Sequence, residues 1–199
     1  LKTARSATAT LKPDGFLSRW LILEPIAGDG RVVDSAIRAA AAKEYFPGQL
    51  SVMPRAGDKV TIGDATHAWH AVDTSRHNVN LYHFAYFLGK ETSNVVFWGV
   101  TVVDSPEEMA HVRLAVGSNA GSVWWVNGKE VVGIYGDRQT QVDDGVSKKL
   151  TLIKGPNVVR FLVVNNRGMV DCCARFLDAN DNPISRFTLG SPDAIKSSR

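Results

Sequence analysis

A chain of 199 residues, 44% hydrophobic and 22% charged, can bury one sizeable core and suits one domain, alone or with a modest appendage. Its 23 basic and 20 acidic residues leave a net charge of +3, and no basic run interleaves with aromatics, so nucleic acid is not an expected partner. No apolar stretch is long enough to span a membrane.

Residues 1–12 have little pattern and read as a linker or loosely held terminus. Asp14-Gly15 is a turn signal. Phe16 to Ile26 reads as the first strand, stopped by Pro25. Asp34 to Phe46 reads as a helix: Asp34 can cap it, Ala39 to Ala42 fill its middle, and Pro47-Gly48 end it. Its small apolar residues suit a lid on a sheet. Short strands follow at Val60–Gly63 and Ala68–Val72. Val79 to Leu88 is rich in aromatics and open between strand and helix.

Val95 to Val103 is strongly β-prone and closes on Asp104-Ser105-Pro106. His111 to Val116 alternates, with Val112, Leu114 and Val116 on one face. Val123 to Val132 is a hairpin whose Asn127-Gly128 tip supplies the positive φ values of a type I′ turn. Further strands are expected at 150–153, 158–164, 169–177 and 184–189, and the tail after Gly190 reads as linker. On Met169–Leu177, the adjacent Cys172 and Cys173 point to opposite faces, so two buried thiols are expected and no disulfide. Many short strands with regular turns indicate an all-β sandwich or jelly roll spanning 13–189.

Several stretches resemble a broad galactose-binding-like β-sandwich family. D-G-F-L-S-R-W-L-I-L-E-P-I at 14–26 is similar to its opening GF-x-x-W-L-x-x-G-P-F strand. V-V-F-W-G-V-T-V-V-D-S at 95–105 is similar to A-Y-A-Y-T-x-I-x-S, and L-A-V-G-S-N-A-G-S-V-W-W-V-N-G-K-E-V at 114–131 to L-x-x-G-S-D-D-G-x-x-V-W-L-N-G-K-x-V. The turns at 152–157 and 178–183 resemble L-K-K-G-x-N and D-x-x-G-x-P. The chain departs at Glu24, where the family has Gly, and at Asn119-Ala120, where it has Asp-Asp. The loop 133–146 is its own. The resemblance implies a jelly-roll accessory module of bacterial polysaccharide-degrading enzymes, a secreted, periplasmic or cell-surface setting, and an attached catalytic domain.

Proteins grip sugars with flat aromatic faces and with planar polar groups that pair with hydroxyls. Trp124 and Trp125 are strand neighbours and face opposite ways. The family's aromatic falls on Trp125, so Trp125 is the structural candidate and Trp124 the ligand candidate. The alternative is that Trp124 packs under a loop or under the N-terminal segment. Tyr135, Arg138 and Gln139 share the loop after the hairpin and are further ligand candidates, or else a solvated loop. Trp69 and Trp98 are reserves. Trp98, between Val96 and Val100, leans to the core.

His67 and His70 are three apart on a strand and face opposite ways, so one metal ion would not see both. No cofactor is expected. Asp178, Asn180 and Asp181 offer oxygens that suit a structural calcium ion, although such a turn stands without one. No Gly-x-Ser-x-Gly elbow or phosphate loop is present, and the adjacent acids Asp143-Asp144 read as solvated. The expected function is a non-catalytic carbohydrate-binding module for a plant cell-wall polysaccharide, xylan first. The alternative is a structural or dimerisation domain without a glycan ligand.

Overall fold

The computed structural model of the chain describes residues 8–190. In order come β1 (Thr8–Thr10), β2 (Arg19–Leu23), β3 (Ile26–Ala27), α1 (Asp34–Ala42), β4 (Lys59–Ile62), β5 (Ala65–Asp73), β6 (Val79–Asn80) and α2 (Leu81–Phe87). There follow β7 (Val95–Ser105), β8 (Met109–Asn119), β9 (Gly121–Val126), β10 (Lys129–Ile134), β11 (Gly145–Val146), β12 (Leu150–Leu152), β13 (Gly155–Asn165), β14 (Asp171–Leu177) and β15 (Thr188–Gly190).

The larger sheet runs β10-β9-β13-β7-β2-β5-β4, with β3 and β15 on β7 and β1 on β15. The smaller runs β11-β8-β14-β6, with β12 on β8. All these pairings are antiparallel. The all-β expectation therefore holds, with the expected helix present as α1 and a second, α2, added. The Asn127-Gly128 turn is also as expected: both φ angles are positive, 50° and 80°, and β9 pairs with β10 across it.

The larger sheet has a core on each face. Between the sheets, Trp20, Trp124 and Phe161 pack with Leu114 and Phe176 of the smaller sheet. On the far side, Trp69, Trp98, Trp125 and Leu162 pack under Ile37 of α1 and under Tyr45 and Phe46 of the segment that follows it. Burial on both faces explains why Val95–Val103 is apolar apart from Gly99 and the buried Thr101, with no polar alternation. Gly99 lies opposite Phe161 across β7 and β13, and a Cβ there would sit 2.3 Å from that ring. The pair trades a side chain on one strand for a larger ring on the next.

Several boundaries differ from the sequence reading. The helix ends at Ala42. Its N-cap is Val33, without a side-chain cap, and Asp34 pairs with Arg38 one turn on, at 2.9 Å. The linker expected over 1–12 is corrected at Thr8–Thr10, which form β1 against Thr188–Gly190, so Gly190 also belongs to the sheet. Leu11 is buried in the inter-sheet core, and residues 1–7 and 191–199 of the expected linkers lie outside the described residues. Val79–Leu88 divides into β6 and α2. Cys172 and Cys173 are free and buried, Cys172 in the inter-sheet core and Cys173 on the opposite face beside Gly117.

Candidate functional site

The tryptophans singled out in the sequence do face opposite ways, but none reaches solvent. Trp124 is 0% exposed. Its ring lies 5.3 Å from Phe161 and 6.0 Å from Trp20, and its Nε1–H donates to Ser122 Oγ at 2.9 Å. Trp125 stacks on Trp98 at 5.3 Å, and Trp69 and Trp98 meet Phe46 edge-on. The assignment of Trp124, Trp69 and Trp98 to a ligand surface is therefore corrected. The outer face of the larger sheet is covered by α1 and the segment after it, so facing outward does not mean facing water.

The loop after β10 is exposed, yet its groups are largely engaged. Tyr135 lies over Gly133, carries the Arg38 guanidinium 3.8 Å above its ring, and donates its hydroxyl to Glu130 at 2.8 Å. Burial, and then the bond to Glu130, push its hydroxyl pKa up. Arg138 pairs with Asp144 at 2.8 Å. Gln139 is exposed. The loop is pinned to the smaller sheet, with Asp143 accepting from Arg175 Nε at 3.0 Å and Thr140 bonded to Asp171. The Asp178 carboxylate accepts the Asn180 and Asn182 N–H groups at 2.8 and 2.9 Å, and Asp181 pairs with Arg113. Among the described residues no group of three or more His, Cys, Asp or Glu is placed to hold a metal ion.

The aromatic surface that does meet solvent is on α2. Asn80 caps this helix by accepting the His83 N–H at 2.7 Å, and Gly89 ends it with φ +65°. Leu81, Phe84 and Ala85 are buried, at the spacing that makes one helical stripe. The other face carries two rows of rings four residues apart. Tyr82 and Tyr86 stack at 6.1 Å with planes 9° apart, and His83 lies 5.8 Å from Phe87. Tyr86 is 62% exposed and Phe87 68%. Single exposed apolar residues are common, but contiguous rings mark a contact surface.

Beside this face runs a groove of about 400 Å³ between α2 and residues 73–78, with His83, Phe84 and Phe87 on one wall and Asp73, Arg76 and Asn78 on the other. The polar wall is held by its own bonds. Thr74 Oγ1 donates to the Asn78 carbonyl at 3.0 Å and accepts the Arg76 N–H at 3.2 Å. Arg19 grips both oxygens of Asp73, at 2.8 and 3.0 Å. Asn78 donates to Asp171 at 2.6 Å, and Asp171 also meets Thr140, which joins the groove to the loop after β10.

Glu24 fastens α2 to the larger sheet. Its carboxylate accepts from Lys90 at 3.1 Å just past the helix, lies 3.2 Å from His70 Nε2, and accepts the Ala68 N–H at 3.2 Å. His70 in turn meets the Phe84 ring edge-on at 5.7 Å. Burial alone would raise the Glu24 pKa, but Lys90, His70 and the Ala68 N–H outweigh it and hold it below its ordinary value. The departure from the family's Gly at this position thus has a structural role.

No protein-family model matches the chain, and neither does any curated protein. Similar folds are found among solved structures. The PA14 domain of the antifreeze protein MpAFP is 11% identical, over 85% of this chain and 89% of that one, with a TM-score of 0.50. A PA14 sugar-binding domain from an RTX adhesin is 13% identical over 86% and 96%, with a TM-score of 0.46. A GH31 α-xylosidase from Xanthomonas citri is 12% identical over 92% of this chain and 18% of that one, with a TM-score of 0.34. At such identities the likeness is one of fold. The shared fold is that of the antifreeze protein's PA14 domain.

Proposed function

We propose that this domain binds a glycan on the aromatic face of α2 and in the groove beside it, without catalysing its cleavage. The observation that carries the reading is the pairing of exposed Tyr86 and Phe87 with a preorganised polar wall. Flat rings suit the apolar face of a pyranose, and fixed polar groups suit its hydroxyls. A plant cell-wall polysaccharide such as xylan, and tethering to a secreted catalytic domain, are the finer form of the proposal and follow from the sequence resemblance. Tethering of that kind raises local concentration without new catalytic contacts.

Affinity electrophoresis of the full chain in gels containing xylan, glucans or mannans tests the reading. Retardation on at least one glycan is expected, lost in Tyr86→Ala and Phe87→Ala at unchanged Tm. No retardation on any glycan would overturn it. The same rings could instead cover a second protein surface, so concentration-dependent self-association abolished by Tyr86→Ala, without glycan binding, would favour an interface.

A further inference from the structure

One guanidinium in the groove beside α2 narrows the class of glycan. The acids near it are already hydrogen-bonded: both Asp73 oxygens face Arg19, both Asp171 oxygens are taken by Thr140 and Asn78, and Asp14, in the turn before Phe16, accepts the Phe16 N–H at 3.3 Å. The Lys12 ammonium likewise donates to the Ser75 carbonyl. Arg76 lines the groove, is exposed, and has no ion pair among the described residues. His83 on the opposite wall and His77 beside Phe16 can each add a hydrogen-bonding nitrogen.

A neutral sugar would leave the Arg76 guanidinium facing water. An acid on the sugar would pair with it. The Arg76 fork is planar and carries parallel N–H groups, the shape that grips a carboxylate with two bonds. Across the groove the His83 and Phe87 rings supply the surface on which a pyranose lies.

We infer that the groove selects a uronate, a pyranose bearing a carboxylate, with Arg76 as the carboxylate clamp and the His83–Phe87 row as the stacking platform. Resting on the glycan-binding reading above, this inference adds the class of sugar. A sulfate ester presents similar charge in a tetrahedral form, and the fork and the flat wall favour the planar group.

Isothermal titration of the full chain with four probes tests it: xylotetraose, the same tetraose bearing one glucuronic acid branch, a galacturonate tetramer, and a sulfated galactan oligosaccharide. A uronate probe should bind about tenfold or more tighter than xylotetraose, as one charge-assisted pair would give. That margin should shrink as salt rises from about 0.05 to 0.5 M. Arg76→Gln should remove it, costing at least about tenfold more uronate affinity than xylotetraose affinity, and Phe87→Ala should weaken all probes that bind. Equal affinity for neutral and uronate probes, or an Arg76→Gln variant that keeps the margin, overturns the uronate assignment and leaves glycan binding standing. Preference for the sulfated probe over both uronates overturns the carboxylate clamp. Failure of every probe, together with no retardation on any polysaccharide, removes both readings.

Discussion

Replacing Trp124 by Ala should destabilise this domain without removing any solvent-facing group. The ring is 0% exposed and wedged against Trp20 and Phe161, and its Nε1–H is anchored on Ser122, whose hydroxyl also receives the Ser118 hydroxyl at 2.8 Å. A buried Trp truncated to Ala loses transfer free energy and leaves a cavity, together about 3–5 kcal/mol. For a domain of this length each kcal/mol moves Tm by about 2–4 °C, so the expected fall is about 6–20 °C. Against a total stability of about 5–15 kcal/mol, the variant is still folded in the cold. Thermal melts followed by far-ultraviolet circular dichroism measure the shift, with Tyr86→Ala as the exposed control, expected within about 0.5 kcal/mol of the parent. A Trp124→Ala variant melting within about 2 °C of the parent would refute the placement of this ring between the sheets.

Gly99→Ala should cost about 1–3 kcal/mol, because the new methyl falls 2.3 Å from the Phe161 ring, and the loss should be read in the urea midpoint. Glu24→Gln should lower Tm at neutral pH by the equivalent of about 1–2 kcal/mol, since Lys90 and His70 lose their charged partner. The Glu24 pKa is depressed in the fold, so its stabilising effect is complete above the ordinary 4.5 and is lost as pH falls through the folded value. The Tm gap between parent and Glu24→Gln should therefore close on acidification; a gap that widened would refute the sign. Burial pushes the Cys172 thiol well up and that of Cys173 to about 12. The native protein should thus react with a disulfide reagent at neither thiol within minutes, and at both after guanidinium is added.

What was legible in the sequence was local. Asn127-Gly128 fixes a turn by its own φ requirement, and the Val112-Leu114-Val116 alternation fixes a buried face. Alternation also separated Trp124 from Trp125 correctly. It could not show that both faces were roofed, because the cover comes from Val32 to Val52, some seventy residues earlier in the chain. A rule that divides a strand into inside and outside has no term for a third layer.

The α2 platform had a readable signal. Asn80 before the run, Gly89 after it, and Leu81, Phe84, Ala85 and Leu88 at helical spacing together describe a capped amphipathic helix. The aromatic content pulled toward a strand, and the ambiguity hid the exposed rings. The groove's other wall, residues 73–78, lies just before α2 in the chain, but the cleft between them depends on how the intervening turn is held by Asp73–Arg19 and Asn78–Asp171, partners far off in sequence. The loop at 135–139 was a sound place to look for exposed polar groups, but its engagement with Arg38, Glu130 and Asp144 depends on partners that sequence does not bring together.

The double burial of the larger sheet also gives the protein two internal reporters. Of its five tryptophans, Trp20 and Trp124 sit between the sheets, and Trp69, Trp98 and Trp125 sit beneath the helical cover. Lifting that cover would wet three indoles and leave two dry. Emission would redden in part before the sandwich opens, so detachment of an outer layer and collapse of the whole can be watched as separate events in one unlabelled molecule.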